Sequence, residues 1–269
     1  MKRITKIDLY PVVSFNPFSF DIDKPYPDGL TKEERHEHWK KQMESINIRN
    51  LVPIETGFDL VRTTQINKET LITLLEFQGA LEPCDGSDND DDVYSAFNGG
   101  VVMEGDNQII FIPQCCVGLY DYKEWLEVEK TDHFQKLYIG HPWVYTHNKG
   151  EDLIFSGLID NNFGSRDWEY RALDDMPRGW DWGGSLKDLD ESGIKELMCQ
   201  YAVDYKLFQQ AQADLKKEVD LFYTRVLTQL KVLDIKNATK KVDRYVHGIN
   251  GPVSYNPDEP FPTLPFKSY

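Results

Sequence analysis

Thiols and imidazoles are the first side chains to test for chemistry. Cys115 and Cys116 stand side by side, with His141 and His147 downstream. Zinc takes thiolate and imidazole ligands in a tetrahedral array, but this spacing matches no finger pattern. Cys115 with His141 as its base is the hydrolase alternative, because an imidazole neighbour converts a thiol into the reactive thiolate. The Gln114-Cys115-Cys116 context lacks the flanking glycines of the thiol-protease signatures. The plainer reading is stronger: the two cysteines follow an apolar strand and pack as small hydrophobes. His36 and His38 are two apart, which on a helix turns them to different faces. No metal and no cofactor is expected.

Carboxylates offer the second chemistry. Asp85, Asp88, Asp90, Asp91 and Asp92 crowd one loop, and their repulsion disfavours compact structure unless a cation or a basic partner neutralises it. An EF-hand loop needs Gly at position 6 and Glu at 12, and no start within this run supplies both. Farther on, Trp168, Trp180 and Trp182 stand among Asp174, Asp175 and Asp181. Paired carboxyls beside aromatic faces could form a sugar cleft; the same residue types also make protein contacts, where Trp is a preferred anchor. Nine acids against four bases between 160 and 191 give that stretch a charge of −5. No phosphate-binding glycine loop, Gly-x-Ser-x-Gly elbow or His-Glu-x-x-His motif occurs.

Bulk charge narrows the partners. A formal net charge of −15 over 269 residues argues against nucleic acid and anionic membranes, which both require clustered Lys and Arg. The complementary partner is a protein with a basic surface. Lys6 and Asp8 interrupt the N-terminus before an apolar run develops, so no signal peptide is expected. Nowhere do about 18 apolar residues run together. Cysteines at 84, 115, 116 and 199 make no disulfide framework, and the expected location is the cytoplasm.

The elements that must position these residues follow from pattern. Residues 4–15 alternate apolar and polar before Pro11, which suits a strand near a sheet edge. Thr31 with Glu34 forms a capping box opening a charged helix to about Ile46. A short strand lies within 51–64, and Asn67 caps a helix carrying Leu71, Ile72, Leu74, Leu75 and Phe77. Asn98-Gly99-Gly100 reads as a turn, and Gly105-Asp106-Asn107 as a hairpin turn between strands at 101–103 and 108–113. A helical turn at 122–129 leads to a strand pair at 134–139 and 143–146, and Lys149-Gly150-Glu151 turns the chain into 153–156. Residues 160–187 form a long loop region. From Asp190 to Leu233 apolar residues recur near a 3.6 period, predicting a long amphipathic helix; unbroken it would span about 60 Å, so a break or a projecting end is expected. Five prolines in 251–269 predict an extended tail.

The segment from the second helix through Tyr94-Ser95-Ala96-Phe97-Asn98-Gly99-Gly100-Val101, then Leu137-Tyr138-Ile139-Gly140 and Gly150-Glu151-Asp152-Leu153-Ile154-Phe155, resembles the SUKH superfamily of cell-wall assembly regulators and immunity proteins. The resemblance spans about residues 66–160. It implies an antiparallel α+β domain and a protein-binding role, often as an immunity protein neutralising a toxin, frequently a nuclease. The Gln114-Cys115-Cys116 and His141-Pro142-Trp143 runs and the long C-terminal helix depart from that pattern.

The expected fold class is therefore α+β: an antiparallel sheet meander with packed helices and a long C-terminal amphipathic helix. The expected organisation is a core over 1–187 and a helical extension with a Pro-rich tail over 188–269, or one domain overall. The expected function is an acidic, non-enzymatic, protein-binding module contacting its partner through Asp85 to Asp92 and the Trp168 to Trp182 loop.

Overall fold

The first two strands of the sequence serve different sheets. In the computed structural model the described residues are 1–15, 30–77, 81, 97–113, 117–131, 135–140, 143–161, 170–172 and 199–248. β1 (Lys2–Ile4) and β2 (Ile7–Ser14) are joined through Thr5 and Lys6. One carboxylate holds the bend: Asp106 accepts hydrogen bonds from the Thr5 and Lys6 N–H groups, both at 3.0 Å, and from the Thr5 hydroxyl at 2.9 Å. Asp106 and Asn107 form the two-residue turn between β4 (Gly99–Gly105) and β5 (Gln108–Phe111), at φ of 51° and 61°. Two positive φ values match the strand twist, and Asp and Asn tolerate them best after glycine.

One sheet runs β3 (Leu60–Arg62), β2, β4, β5 and is antiparallel throughout. The other runs β1, β11 (Tyr201–Asp204), β8 (Asp152–Phe155), β7 (Val144–Lys149), β6 (Gln135–Leu137), with β1 and β11 parallel and the remaining pairs antiparallel. A separate hairpin pairs β9 (Ile159–Asn161) with β10 (Tyr170–Ala172). The helices are α1 (Lys32–Ser45), α2 (Lys68–Phe77), α3 (Tyr122–Leu126), α4 (Tyr205–Val232) and α5 (Ala238–Val242), the last continuing into a π-helical turn, Asp243–His247. The class is α+β with a long C-terminal helix, as the pattern predicts.

Three local expectations need correction. β2 is not at a sheet edge but lies between β3 and β4. Ser14 donates its N–H to Asn98 on the β4 side and Phe15 donates to Asp59 on the β3 side, so alternate residues face alternate neighbours. Pro11 shares the parity of Phe15 and turns its nitrogen toward β3, which has already ended at Arg62; the missing donor costs no ladder bond. Asn98-Gly99-Gly100 is not a turn: Gly99 and Gly100 open β4, opposite Val13 and Val12. Gly99 is a glycine because β2 comes too close for a side chain, a Cβ there falling 2.1 Å from the Val12 carbonyl oxygen, whereas a Cβ on Gly100 would meet Pro113 and Val117 at 3.0 to 3.2 Å. The helix read from Asp190 onward is, at its described start, the strand β11. Asp204 ends it and caps α4, accepting from the N–H groups of Lys206 and Leu207 at 2.9 and 3.2 Å, the ordinary task of an N-cap carboxylate.

α4 is 28 residues long, about 42 Å at 1.5 Å per residue. It buries Phe208, Leu215, Val219, Phe222, Val226 and Leu230 to 1 % exposure or less. Full burial of side chains of this size contributes about 1.5–3 kcal/mol each. These residues share one apolar cluster with Ile4, Val13, Val101, Phe155 and Val203 from both sheets, so α4 is part of the common core. A smaller cluster, Tyr10, Val12, Leu60, Val102 and Ile112, fills the opposite face of β2, where Ile54 and Phe58 pack against it. The outer end of this arrangement is tied by Arg62, whose guanidinium forks onto Glu218 of α4 at 3.1 and 2.8 Å and reaches Asp8 at 3.1 Å. The same group lies 4.2 Å from the centre of the Tyr10 ring.

Candidate functional site: an acidic face on a short helix

Asp85, Asp88, Asp90, Asp91, Asp92, Trp168, Asp174, Asp175, Trp180, Asp181 and Trp182 lie outside the described residues, as do Cys115, Cys116 and His141. His147 is described: it is half-buried on β7 opposite Ile154. His36 stacks on Trp39 of its own helix, ring centres 6.3 Å apart. Among the described residues no three His, Cys, Asp or Glu side chains gather as a metal site. Nor is any helix there long and apolar enough to cross a membrane.

The described titratable groups concentrate instead around α3. A 3-10 turn, Leu119–Asp121, leads into it, and the two together bury Leu119, Tyr122, Trp125 and Leu126. Burying that stripe leaves Asp121, Glu124 and Glu127, spaced three apart, on the opposite side and half-exposed. Residues three apart share a helix face. The short helix keeps its position because Gln212 of α4, 2 % exposed, donates its side-chain amide to the carbonyls of Trp125 at 2.8 Å and Leu126 at 3.3 Å. Those are final-turn carbonyls that lack an intrahelical partner.

The environment of the three carboxylates is unfavourable to charge. Burial pushes Asp121 up to about 6, although the Gly118 N–H donates to it at 2.8 Å and Lys123 lies near. Glu124 is raised by burial and by the negative charges of Glu127 and Asp121. Glu127 is raised by burial and by Glu129, against the opposing pull of Lys123. Four acids and one lysine occupy 121–129. Lys123, whose charge acts on Glu127 and Asp121, also donates from Nζ to the His247 carbonyl at 2.5 Å.

Beside this face the π-helical turn sets His247 against two tyrosines. Its Nδ1 is 3.0 Å from the Tyr122 hydroxyl, and its ring stacks on Tyr223, centres 4.9 Å apart and 23° between planes. The Tyr223 hydroxyl donates to Asp243 at 2.8 Å. Burial, followed by the charge of Lys123, holds His247 below the usual histidine range. An open cavity of about 590 Å³ nearby is lined by Lys231, Asn237, Ala238, Thr239, Lys240 and Asp243. Its lining brings the Thr239 hydroxyl and the Asp243 carboxylate together with the ammonium groups of Lys231 and Lys240.

What this corner can do is attract positive charge. It holds carboxylates at a partly dry surface, where an incoming cation gains more than it would in open water. The spacing of Asp121, Glu124 and Glu127 is visible in the sequence, but among 45 acidic residues such a triplet has no distinction until burial is known. No family model, no curated protein and no solved structure matches the chain.

Proposed function

We propose that this chain is a protein-binding module whose negative face receives a partner with a basic surface, in the manner of a SUKH-type immunity protein that neutralises a toxin. A nuclease is the fitting class of toxin, because its own surface is built to hold phosphate. The observation that carries this reading is the row Asp121, Glu124 and Glu127. Each carboxyl is raised by burial, so each ionises at a cost in folding free energy, and a basic partner is what offsets that cost. The net charge of −15 adds long-range attraction, which acts on the association rate more than on the final contacts. The resemblance over about residues 66–160 supports the same class of role, and a cytoplasmic location fits it. Asp85 to Asp92 and the segment from Trp168 to Trp182, which includes β10, are the further contact segments of this proposal.

The test is capture of the partner from a lysate of the source cells at about 0.05 M salt, followed by identification and elution with rising salt. The Debye length shrinks from about 10 Å at 0.1 M to about 3 Å at 1 M. A basic protein that is released between those limits supports the proposal. A captured protein with an acidic surface, or one whose binding ignores salt, contradicts it.

A further inference from the structure

We propose that His247 is a proton-operated latch: its neutral ring fastens the C-terminal helical turn to α3 and α4, and protonation releases that turn. This stands apart from the binding proposal and does not need it. His247 is 4 % exposed and joins three elements at once. Through Nδ1 it meets Tyr122 of α3, through its ring face Tyr223 of α4, and through its carbonyl the ammonium of Lys123. The turn that bears it is π-helical, a rare conformation that is frequent at functional sites. The same turn supports β4 as well. Phe97, which precedes that strand, donates its N–H to the Tyr245 carbonyl at 3.2 Å, and its ring lies 5.5 Å from that of Tyr245. The turn ends at Gly248, with φ of +69° and a would-be Cβ 3.1 Å from the Tyr120 ring.

The charged groups facing the imidazole are Lys123 from α3, Lys216 and Asp220 from α4, and Asp243 from its own turn. Tyr122 and Tyr223 contact the ring itself, and Tyr120 lies against the adjacent Gly248. The two lysines oppose a second positive charge. Of the two aspartates, Asp243 already accepts the Tyr223 hydroxyl. A proton added in this nearly closed space is therefore poorly compensated, and the relief is to open the turn and expose the ring to water. The sign follows by linkage. A histidine whose folded pKa lies below its unfolded value of about 6.5 stabilises fully above that value, and the contribution is lost as pH falls.

Hydrogen exchange of the Tyr245, Val246, His247 and Gly248 amides, expressed as protection factors at pH 7.5, 6.5 and 5.5, reads the latch directly. One proton taken up on opening lowers protection by up to about tenfold per pH unit below about 6.5. The expected result is such a loss in the wild type and a flat profile in His247→Gln, which can still bond Tyr122 but cannot be charged. If that variant does not fold, the NMR titration of the His247 Cε1 resonance in the wild type decides alone, with a midpoint below about 6.5 expected. Protection unchanged down to pH 5.5, an equal loss in His247→Gln, or a His247 midpoint at or above about 6.5 overturns the proposal.

Discussion

Replacing Gly99 by alanine should be among the most damaging single-methyl changes in the chain. The added Cβ would lie 2.1 Å from the Val12 carbonyl oxygen, 2.8 Å from Val13 Cα and 2.9 Å from the Val12 carbonyl carbon. All three are backbone atoms of β2, so no rotamer change relieves the clash, and the strands must part by more than an ångström. Paired strands sit about 4.8 Å apart, and a shift of that size breaks the Val13 end of the β2–β4 ladder. Overpacking of this kind costs about 1–3 kcal/mol, and a side chain at φ of +151° adds about 1–3 kcal/mol of backbone strain. The sum, about 2–6 kcal/mol, is a large part of a typical folding free energy of about 5–15 kcal/mol. Two other glycines calibrate it. At Gly100, φ +143°, the same backbone strain of about 1–3 kcal/mol applies, but a Cβ meets side-chain atoms of Pro113 and Val117 at 3.0 to 3.2 Å, which can give by a few tenths of an ångström, so packing adds about 1 kcal/mol. At Gly150, φ +67°, nothing lies within 4 Å, leaving a strain of about 1 kcal/mol. Urea unfolding followed by circular dichroism should rank Gly99→Ala, Gly100→Ala and Gly150→Ala in that order of damage. A Gly99→Ala protein no less stable than Gly150→Ala would refute the close-approach account of this segment.

Gln212→Leu should destabilise by about 1–3 kcal/mol, because the Trp125 and Leu126 carbonyls lose their donor while remaining buried; exchange at residues 122–128 should accelerate beyond the global change. Arg62→Met strands Glu218 beside Thr63 and should cost about 1–3 kcal/mol, with much of the loss recovered in the Arg62→Met, Glu218→Met double variant, as a thermal double-mutant cycle would show. Asp121→Asn keeps an oxygen for the Gly118 N–H but no longer ionises. Because the folded carboxyl is raised from 3.8 to about 6, the wild type loses stability as pH rises through that window, and the variant should not. After discounting for solvent screening the gain at pH 7 is about 1 kcal/mol, measurable as urea midpoints at pH 4.5 and 7; equal pH slopes in the two proteins would contradict it.

Much of the fold is legible where a single residue type has a single local use. Thr31 and Glu34 form their capping box, each side chain accepting the other's backbone N–H at 3.2 and 2.8 Å. Asn67 accepts the Thr70 N–H at 2.9 Å, and Asp106-Asn107 turns its hairpin. The corrected elements share a cause: each residue has a local preference, but the neighbour that uses it is distant in sequence. Gly99 and Gly100 are permissive residues, and a turn is their commonest use, yet it is β2, some 86 positions earlier, that demands Gly99, and Pro113 and Val117 that crowd Gly100. Pro11 argues for an edge until β3 is seen to stop short of it. Tyr201–Asp204 continues the helical period of α4 by coincidence, and its pairing with β1 and β8 overrides that pattern; the boundary falls at Asp204, whose side chain caps α4. The acidic face is the least legible feature, since its distinction is partial burial imposed by Gln212 and the core beneath α3.

The most direct measurement of the central claim joins binding and stability in one variant. Asp121→Asn, Glu124→Gln and Glu127→Gln together remove the charges but keep the shapes. The account predicts a protein more stable at pH 7 than the wild type, whose Kd for the captured basic partner at about 0.1 M salt is weakened about tenfold to a hundredfold, equivalent to about 1.4–2.8 kcal/mol. A variant that gains stability and binds the partner as tightly as the wild type would contradict it.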